Sequence, residues 1–255
     1  MSDGEQRYGD ERRELIMAQL HEQGRVQVKA LAERFKVTED AIRKDLRALE
    51  SAGMLSKTYG GAVLSDKVSA FVPYRDRGEP ERKRPLARAA AALIEEGDTV
   101  FVESSSYTNL LLQEIKPQLN VTVVTNSIYG LADLVRKVNL VHVGGAVHPE
   151  DEACYGPFAL QTLAQMNFDK CFLKPAAISA EGQVTTGLQE SLAIKQAAMR
   201  QSNHTVILLD AADWSRRDRY NVCTLGDIGT VVSNTQDEAA LRLLEASKTR
   251  FVPGS

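Results

Sequence analysis

Apolar residues first fall into a helical rhythm near Glu11, where Leu15, Ile16 and Leu20 form one side and Gly24 supplies a stop. Val28, Leu31, Ala32 and Phe35 recur at i, i+3, i+4 and i+7, which predicts a second helix. A short turn at Lys36–Val37 separates it from a third, capped by Thr38 and running to about Ser51, with Ile42, Leu46 and Leu49 as its apolar positions. Gly53 ends that helix. Leu55–Tyr59 and Ala62–Leu64 flank Gly60–Gly61, the pattern of a small hairpin turning on two glycines. The rhythm then lapses over residues 65–85, where Pro73, Pro80 and Pro85 punctuate a charged stretch that predicts a linker.

From Leu86 the pattern alternates. An Ala-rich helix ends at Gly97, and short apolar runs at 99–103, 121–125, 140–143, 170–173, 205–209 and 229–232 read as strands. Helical stretches start near Tyr107 and occupy Ile128–Val135, Gly156–Met166, Ser191–Gln201 and Asp237–Ala246. Strands that are continuous apolar runs joined by helices predict an α/β, mainly parallel sheet covered on both faces. The expected division is therefore a helical unit at 1–64, a linker at 65–85 and an α/β domain at 86–255.

Composition narrows the class. A chain of 255 residues, 43% hydrophobic and 25% charged, is neither a disordered chain nor a fibrous one. No stretch approaches the ~20 apolar residues of a membrane span, and MSDGEQRYGD lacks the basic start and apolar run of a secretory leader. Cys154, Cys171 and Cys223 follow no metal-ligand spacing, so reduced thiols and a cytoplasmic location are expected. The net charge of −3 argues against nucleic acid for the whole chain. Divided, it reverses: residues 25–85 carry +5 and the remainder −8.

At ~100° per residue the third helix puts Ile42, Leu46 and Leu49 in one arc, with Asp40, Arg43, Lys44 and Arg47 opposite. A cationic helix behind a shorter helix and a tight turn is a helix-turn-helix arrangement, whose second helix enters the major groove. Lys57 and Tyr59 stand on the hairpin, where a wing touches phosphates, and Lys29, Thr38 and Glu39 complete the candidate DNA face. A solvated face on an ordinary three-helix unit is the competing interpretation. The stretch RRELIMAQLHEQGRVQVKALAERFKVTEDAIRKDLRALESAGMLSKTYGGAVL resembles the N-terminal domain of the DeoR family of bacterial transcription regulators. It shares the VxVxxLAxxF helix, the IRKDLxxLExxG recognition helix and the GGA of the wing. Thr38 replaces a commoner Ser, and Ala41 stands where Thr is frequent.

In open α/β sheets, ligands bind beyond the carboxyl ends of the strands. The residues there are polar: Ser104, Ser105, Ser106, Tyr107 and Thr108, then Asn126, then Gly144 and Gly145, then Lys174 and Asp210. Hydroxyls at a helix start suit an anion and glycines admit close approach, although serines after strands are also ordinary helix caps. The DeoR resemblance continues through KRPLARAAAALIEEGDTVFVES, VTVVTNS and VGGAVHPEDEACYGPFAL to about residue 235. It implies an effector domain similar in fold to ribose-phosphate isomerase, sensing a phosphorylated sugar or related metabolite. By position it implies contacts from Ser104 to Thr108, Asn126, Gly144, Gly145, Lys174, Thr185 or Thr186, and Lys195. Three departures fall in the implied pocket: the family's Gly after the first strand gives way to the serines and Tyr107; Lys174-Pro175-Ala176-Ala177 loses an acid and gains a cation; and Ser191 takes an acidic position. They suggest a more anionic ligand.

An isomerase-like enzyme would need a carboxylate base, for which Glu103, Asp210 and Asp213 are candidates, but it has no use for a DNA-binding module. An architectural DNA protein needs no α/β domain, and RNA recognition lacks aromatic clusters. His142, His148 and Glu150–Asp151–Glu152 fit no metal-ligand spacing, so neither metal nor other cofactor is expected. The expectation is a regulator, most simply a repressor, that binds double-stranded operator DNA as a dimer or tetramer and responds to its effector.

Overall fold

In a computed structural model the described residues are 12–13, 15–20, 25–51, 54–58, 60–64 and 80–254. Gly24, Gly53, Tyr59 and most of the expected linker lie outside them. The chain divides into two compact units, Met1–Phe71 and Val72–Ser255.

The first unit holds α1 (residues 15–20), β1 (Arg25–Gln27), α2 (Val28–Phe35), α3 (Glu39–Ser51), β2 (Leu55–Thr58) and β3 (Gly61–Leu64). Its core is Ile16, Leu20, Val28, Leu31, Ile42, Leu46 and Leu49, apolar positions at helical spacing, together with Leu55 of β2. Leu15 is an exception, half exposed, because the helix turns Met17 inward instead. Thr38 caps α3, its hydroxyl accepting from the Ala41 amide at 3.2 Å. Lys36, at φ +52°, makes the left-handed turn that redirects the chain between α2 and α3. The hairpin forms as expected, and β1 adds an antiparallel third strand to β3. Periodicity did not indicate β1, because a three-residue strand holds a single inward side chain, Val26. Asp45 is buried on α3 and accepts from Arg12 Nε at 2.6 Å, tying the start of the unit to α3.

The second unit opens with α4 (Pro80–Ala91), so the linker expected to reach residue 85 ends earlier. Pro80 stands at the helix start, where no amide is needed, and Pro85 sits early enough that only the Glu81 carbonyl loses a partner. Leu86, Ala87 and Ala90 then bury the helix against the sheet. The order continues β4 (Thr99–Val102), α5 (Thr108–Glu114), β5 (Thr122–Thr125), α6 (Leu131–Leu134), β6 (Asn139–His142), β7 (Ala146–His148), β8 (Ala153–Tyr155), α7 (Pro157–Ala164) and β9 (Phe168–Leu173). It closes with β10 (Ala177–Ile178), β11 (Gln183–Thr186), α8 (Gln189–Arg200), β12 (Ser202–Leu209), β13 (Tyr220–Thr224), β14 (Thr230–Ser233), α9 (Glu238–Ser247) and β15 (Arg250–Pro253).

Seven strands form one parallel sheet in the order β15-β14-β12-β9-β4-β5-β6. Alternate residues feed two cores. Phe101, Cys171, Ile207 and Val231 face one, while Val100, Val102, Phe172, Val206, Leu208 and Val232 face the other. The expected sheet covered on both faces is thus the observed one. Beside it stand the antiparallel β10-β11-β13 sheet and the β7-β8 hairpin, whose strands are too short for alternation to declare them. The chain runs from β4 towards β5 and β6 on one side and returns through β9 on the other, so the topological switch lies between β4 and β9.

Two stability tests follow. Asp45→Ala removes a buried acceptor from Arg12 and should cost about 1–3 kcal/mol, read as an earlier transition of the first unit in urea. Burial pushes His142 below its ordinary 6.5, and burial aided by Lys170 and Arg250 does the same to His204. The unfolded imidazoles therefore take up protons below pH 6.5 before the folded ones do, and the second unit should lose stability on acidification through that range. His204→Gln should make the decline of the urea midpoint shallower.

Candidate functional site

The exposed face of α3 carries Asp40, Arg43, Lys44 and Arg47 at i, i+3, i+4 and i+7, as expected. Arg43 is held on its own helix, donating to Glu39 at 2.6 Å and Asp40 at 2.9 Å. Arg47 Nε donates to the Arg43 carbonyl at 3.2 Å. Thr38 works as the helix cap, and Glu39 and Asp40 occupy the first turn, where acids favour the helix dipole. Lys57 joins the hairpin to α3 through Glu50, by its ammonium at 3.2 Å and its amide at 3.0 Å. That amide, with the ammonium, holds the Glu50 carboxyl below its ordinary range. Lys29 is exposed on α2. Tyr59 lies outside the described residues.

In the second unit a cavity of about 430 Å³ opens beside the topological switch. Of the expected effector residues it gathers Ser104, Ser105, Ser106, Tyr107, Lys174, Thr186 and Lys195. Glu103, at the end of β4, is its buried anchor. It accepts from Lys195 Nζ at 2.5 Å, from Ser191 Oγ at 3.0 Å and from the Lys174 amide at 3.1 Å. Lys195 also donates to Ser191 at 2.6 Å, one turn back on α8. Lysine and glutamate are 3% and 2% exposed, so the cavity floor is a desolvated, closed ion pair.

A second set of charges walls the cavity. Lys174 Nζ donates to Asp213 at 2.9 Å and to the Pro175 carbonyl at 2.7 Å. Burial pushes this amine below its ordinary value, against the pull of Asp213. The Tyr107 hydroxyl donates to Asp210 at 2.8 Å, and burial together with that carboxylate raises the phenol well above 10. Burial acts to raise Asp210, but the Ala212 amide, Tyr107, Arg82 and Lys174 outweigh it and hold the carboxyl below its ordinary range. The cation gained at Lys174 is thus met by Asp213, which weakens the case for a more anionic ligand.

Five expected effector residues do not line the cavity. Thr108 is buried against Ser105 Oγ and the Glu103 carbonyl. Asn126 sits behind the wall, accepting from the Ser104 amide at 2.8 Å and donating to the Cys154 carbonyl. Thr185 donates to Ala177 and accepts from the Asp218 amide. Gly144 and Gly145 form the left-handed turn between β6 and β7, where a Cβ on Gly145 would run into the Tyr155 carbonyl. Their role is close packing. The amides of Tyr107 and Thr108 at this helix start are taken by Ser105 Oγ at 3.3 and 3.0 Å. Asp151, Tyr155, Gly187 and Asp218 also line the cavity and were not anticipated. They come from the β7-β8 hairpin and from segments far along the chain; Tyr155 ends, and Gly187 directly follows, short antiparallel strands that alternation does not declare. No cluster of three or more potential metal ligands exists among the described residues.

A helix-turn-helix unit and a cavity-bearing parallel-sheet unit on one chain define a ligand-sensing, DNA-binding regulator. The chain belongs to the DeoR family: residues 12–68 match the DeoR-like helix-turn-helix domain and 79–235 the DeoR C terminal sensor domain. Members of this family are transcription regulators, not enzymes. The chain is 25% identical to the HTH-type transcriptional regulator YulB of Bacillus subtilis, over 94% of this chain and 95% of that protein. It is 27% identical to the L-fucose operon activator of Haemophilus influenzae, over 88% and 91%. Identity is also 27% to the lactose phosphotransferase system repressor of Staphylococcus aureus, over 92% and 96%. Among solved structures, ribose 5-phosphate isomerase from Plasmodium falciparum matches 53% of each chain at 14% identity, with a TM-score of 0.39. Among the described residues no helix is long and apolar enough to cross a membrane.

Lys195→Met leaves Glu103 buried without its cation and should destabilise the second unit by about 3–5 kcal/mol. The double variant Glu103→Gln, Lys195→Met removes both charges and should regain at least half of the loss in a urea titration.

Proposed function

We propose that this protein is a cytoplasmic repressor of a carbohydrate-metabolism operon whose operator affinity is set by a phosphorylated sugar. The observation that carries the effector assignment is the convergence of Ser104–Tyr107, Lys174, Thr186 and Lys195 on one cavity at the topological switch. With Ser104 Oγ spent on the Asp151 carbonyl and Ser105 Oγ on its own helix, the Ser106 and Thr186 hydroxyls are the ones that donate to a phosphate or accept from sugar hydroxyls. Asp151 and Asp218 accept from sugar hydroxyls, and Lys174 has one N–H beyond the two used by Asp213 and Pro175. Relatives named for lactose and L-fucose systems support a carbohydrate effector.

DNA binding is assigned to α3 and the hairpin, with Arg43, Lys44 and Arg47 reading the major groove and Lys29 and Lys57 on phosphates. Operator DNA draws Arg43 away from Glu39 and Asp40. Because one 13-residue helix reads few base pairs, a homodimer or tetramer supplies the two half-sites. Residues 1–64 bind DNA and the α/β unit senses and oligomerises.

A gel shift with the region upstream of the protein's own gene tests the assignment. Replacing Arg43, Lys44 and Arg47 together by Ala should weaken binding at least ~10-fold and lower the salt slope by up to about 3. Retained binding would overturn the recognition-helix assignment. Calorimetry with ribose 5-phosphate, fructose 6-phosphate and glucose 6-phosphate against the free sugars tests the effector class. Equal or better binding of the free sugars would overturn it.

A further inference from the structure

Among the described residues of the sensor unit, five large apolar side chains are exposed: Ile128, Val135, Val147, Phe158 and Leu241. Three of them surround the β7-β8 hairpin. Val147 is the middle residue of β7 and is 57% exposed, and Phe158 stands in the first turn of α7 at 73%. The Ile128 amide donates to the Glu152 carbonyl, just before β8. The hairpin and α7 lie against each other. A Cβ on Gly145, one residue before β7, would be 3.5 Å from that of Ala159, and Thr162 Oγ1 donates to the Val143 carbonyl at 3.0 Å. Large apolar side chains gathered in water at one place mark an interaction surface.

The backbone of β7 gives that surface a direction. β7 belongs to a two-stranded sheet, and no described strand other than β8 pairs with it. Cys154, opposite Val147, turns its amide to the Asn126 carbonyl at 2.8 Å and its own carbonyl to Asn126 Nδ2 at 3.3 Å, both away from β7. Val147 and Cys154 are therefore a non-hydrogen-bonded pair, and the N–H and C=O of Val147 point to the open side of the hairpin. Proteins ordinarily protect such an edge with Lys or Pro, or cover it. β7, Ala146–His148, holds neither residue.

The surrounding surface carries almost no charge. Residues 153–168 include no Asp, Glu, Lys or Arg, in a chain that is 25% charged. On the hairpin itself Glu150 and Asp151 lie 3.5 and 3.2 Å from the His148 ring nitrogens. A specific interface takes about 20–30 residues a side, more than a strand edge supplies. Here α7 and α8 continue the surface as a groove of about 430 Å³, lined by Leu160, Gln161, Ala164, Ala193 and Ala197, with Arg200 its one charged lining residue.

We propose that two copies of the chain associate through this surface, β7 pairing antiparallel with β7 of the second copy about a twofold axis at Val147, and Phe158 buried against that copy. An identical chain suits it for two reasons. An antiparallel strand edge is complementary to itself, and a twofold contact sets a patch against the same patch, where like charges would repel and this face has nearly none. The inference rests on the proposed two-copy assembly on DNA and names where that assembly forms. β8, the other strand of the hairpin, ends in Tyr155, which lines the switch-point cavity, so the contact lies one strand away from the effector site.

Sedimentation velocity of the full chain at micromolar concentration should show a dimer or a larger even assembly. Phe158→Asp should halve that assembly or weaken it at least about tenfold, and Val147→Lys, which charges the edge, should do the same. Val135→Asp, at a similarly exposed position beyond α6, should leave it unaltered. Val147→Cys should form a disulfide between copies on mild oxidation with diamide, beyond what the unsubstituted chain gives. Opposed residues of a hydrogen-bonded antiparallel pair hold their Cα atoms about 5.5 Å apart, within disulfide reach. A wild-type chain that is monomeric throughout overturns this surface and the two-copy assembly together. A dimer that survives Phe158→Asp, an equal loss in Val135→Asp, or the lack of a crosslinked dimer in Val147→Cys overturns this surface alone and leaves the assembly standing.

Discussion

The buried pair of Glu103 and Lys195 is the constraint around which the sensor unit is assembled. Its two oxygens hold three elements at one point, because Glu103 ends β4, the Lys174 amide follows β9 and Lys195 projects from α8. The pair stands where the strand order reverses between β4 and β9, a place where adjacent strand connections diverge and leave room for a ligand. Removing two charges from water is costly, and such a pair is kept only where its remaining hydrogen-bonding capacity is also met. Ser191 meets it here. An acid at position 191 would set a second negative charge against Glu103, so a serine and a buried Glu103–Lys195 pair belong together.

Each candidate site includes cations that are already committed. Arg43 is held by Glu39 and Asp40, Lys57 by Glu50, and Lys174 by Asp213. On the proposed assignments a phosphate meets Arg43, Lys57 or Lys174 by exchange with a carboxylate, whereas Lys29, Lys44 and Arg47 have no carboxylate partner among the described residues. Exchange lowers affinity for anions in general and leaves discrimination to geometry, in keeping with an acidic protein that binds nucleic acid through one basic segment.

Local features were legible where a repeating pattern or a single short-range bond determines them. The α2 and α3 spans, the Thr38 cap, the Gly60–Gly61 hairpin and the two-sided burial of the parallel strands all rest on neighbours within a few residues or on strand alternation. The linker boundary was misplaced because two prolines read as breakers, whereas in the first turns of α4 they cost one hydrogen bond between them. The pocket was legible in outline, since strand ends in a parallel sheet share one edge. Its membership was not: Ser105 turns its hydroxyl back onto its own helix, and Thr108, Asn126 and Thr185 bond to the backbone behind the wall.

The sequence by itself determined the two-unit organisation, the basic helix-turn-helix and the parallel sheet with polar strand ends, since each follows from periodicity, charge segregation and the family's motifs. Only the tertiary structure decided which polar residues face solvent in a cavity and which are spent as internal partners. Asp213 reaches Lys174 across 39 positions, Asp45 reaches Arg12 across 33, and Lys195 reaches Glu103 across 92. The physical reason is that a buried charge is stabilised by whichever opposite charge the packed chain brings to it, and no local pattern encodes that meeting.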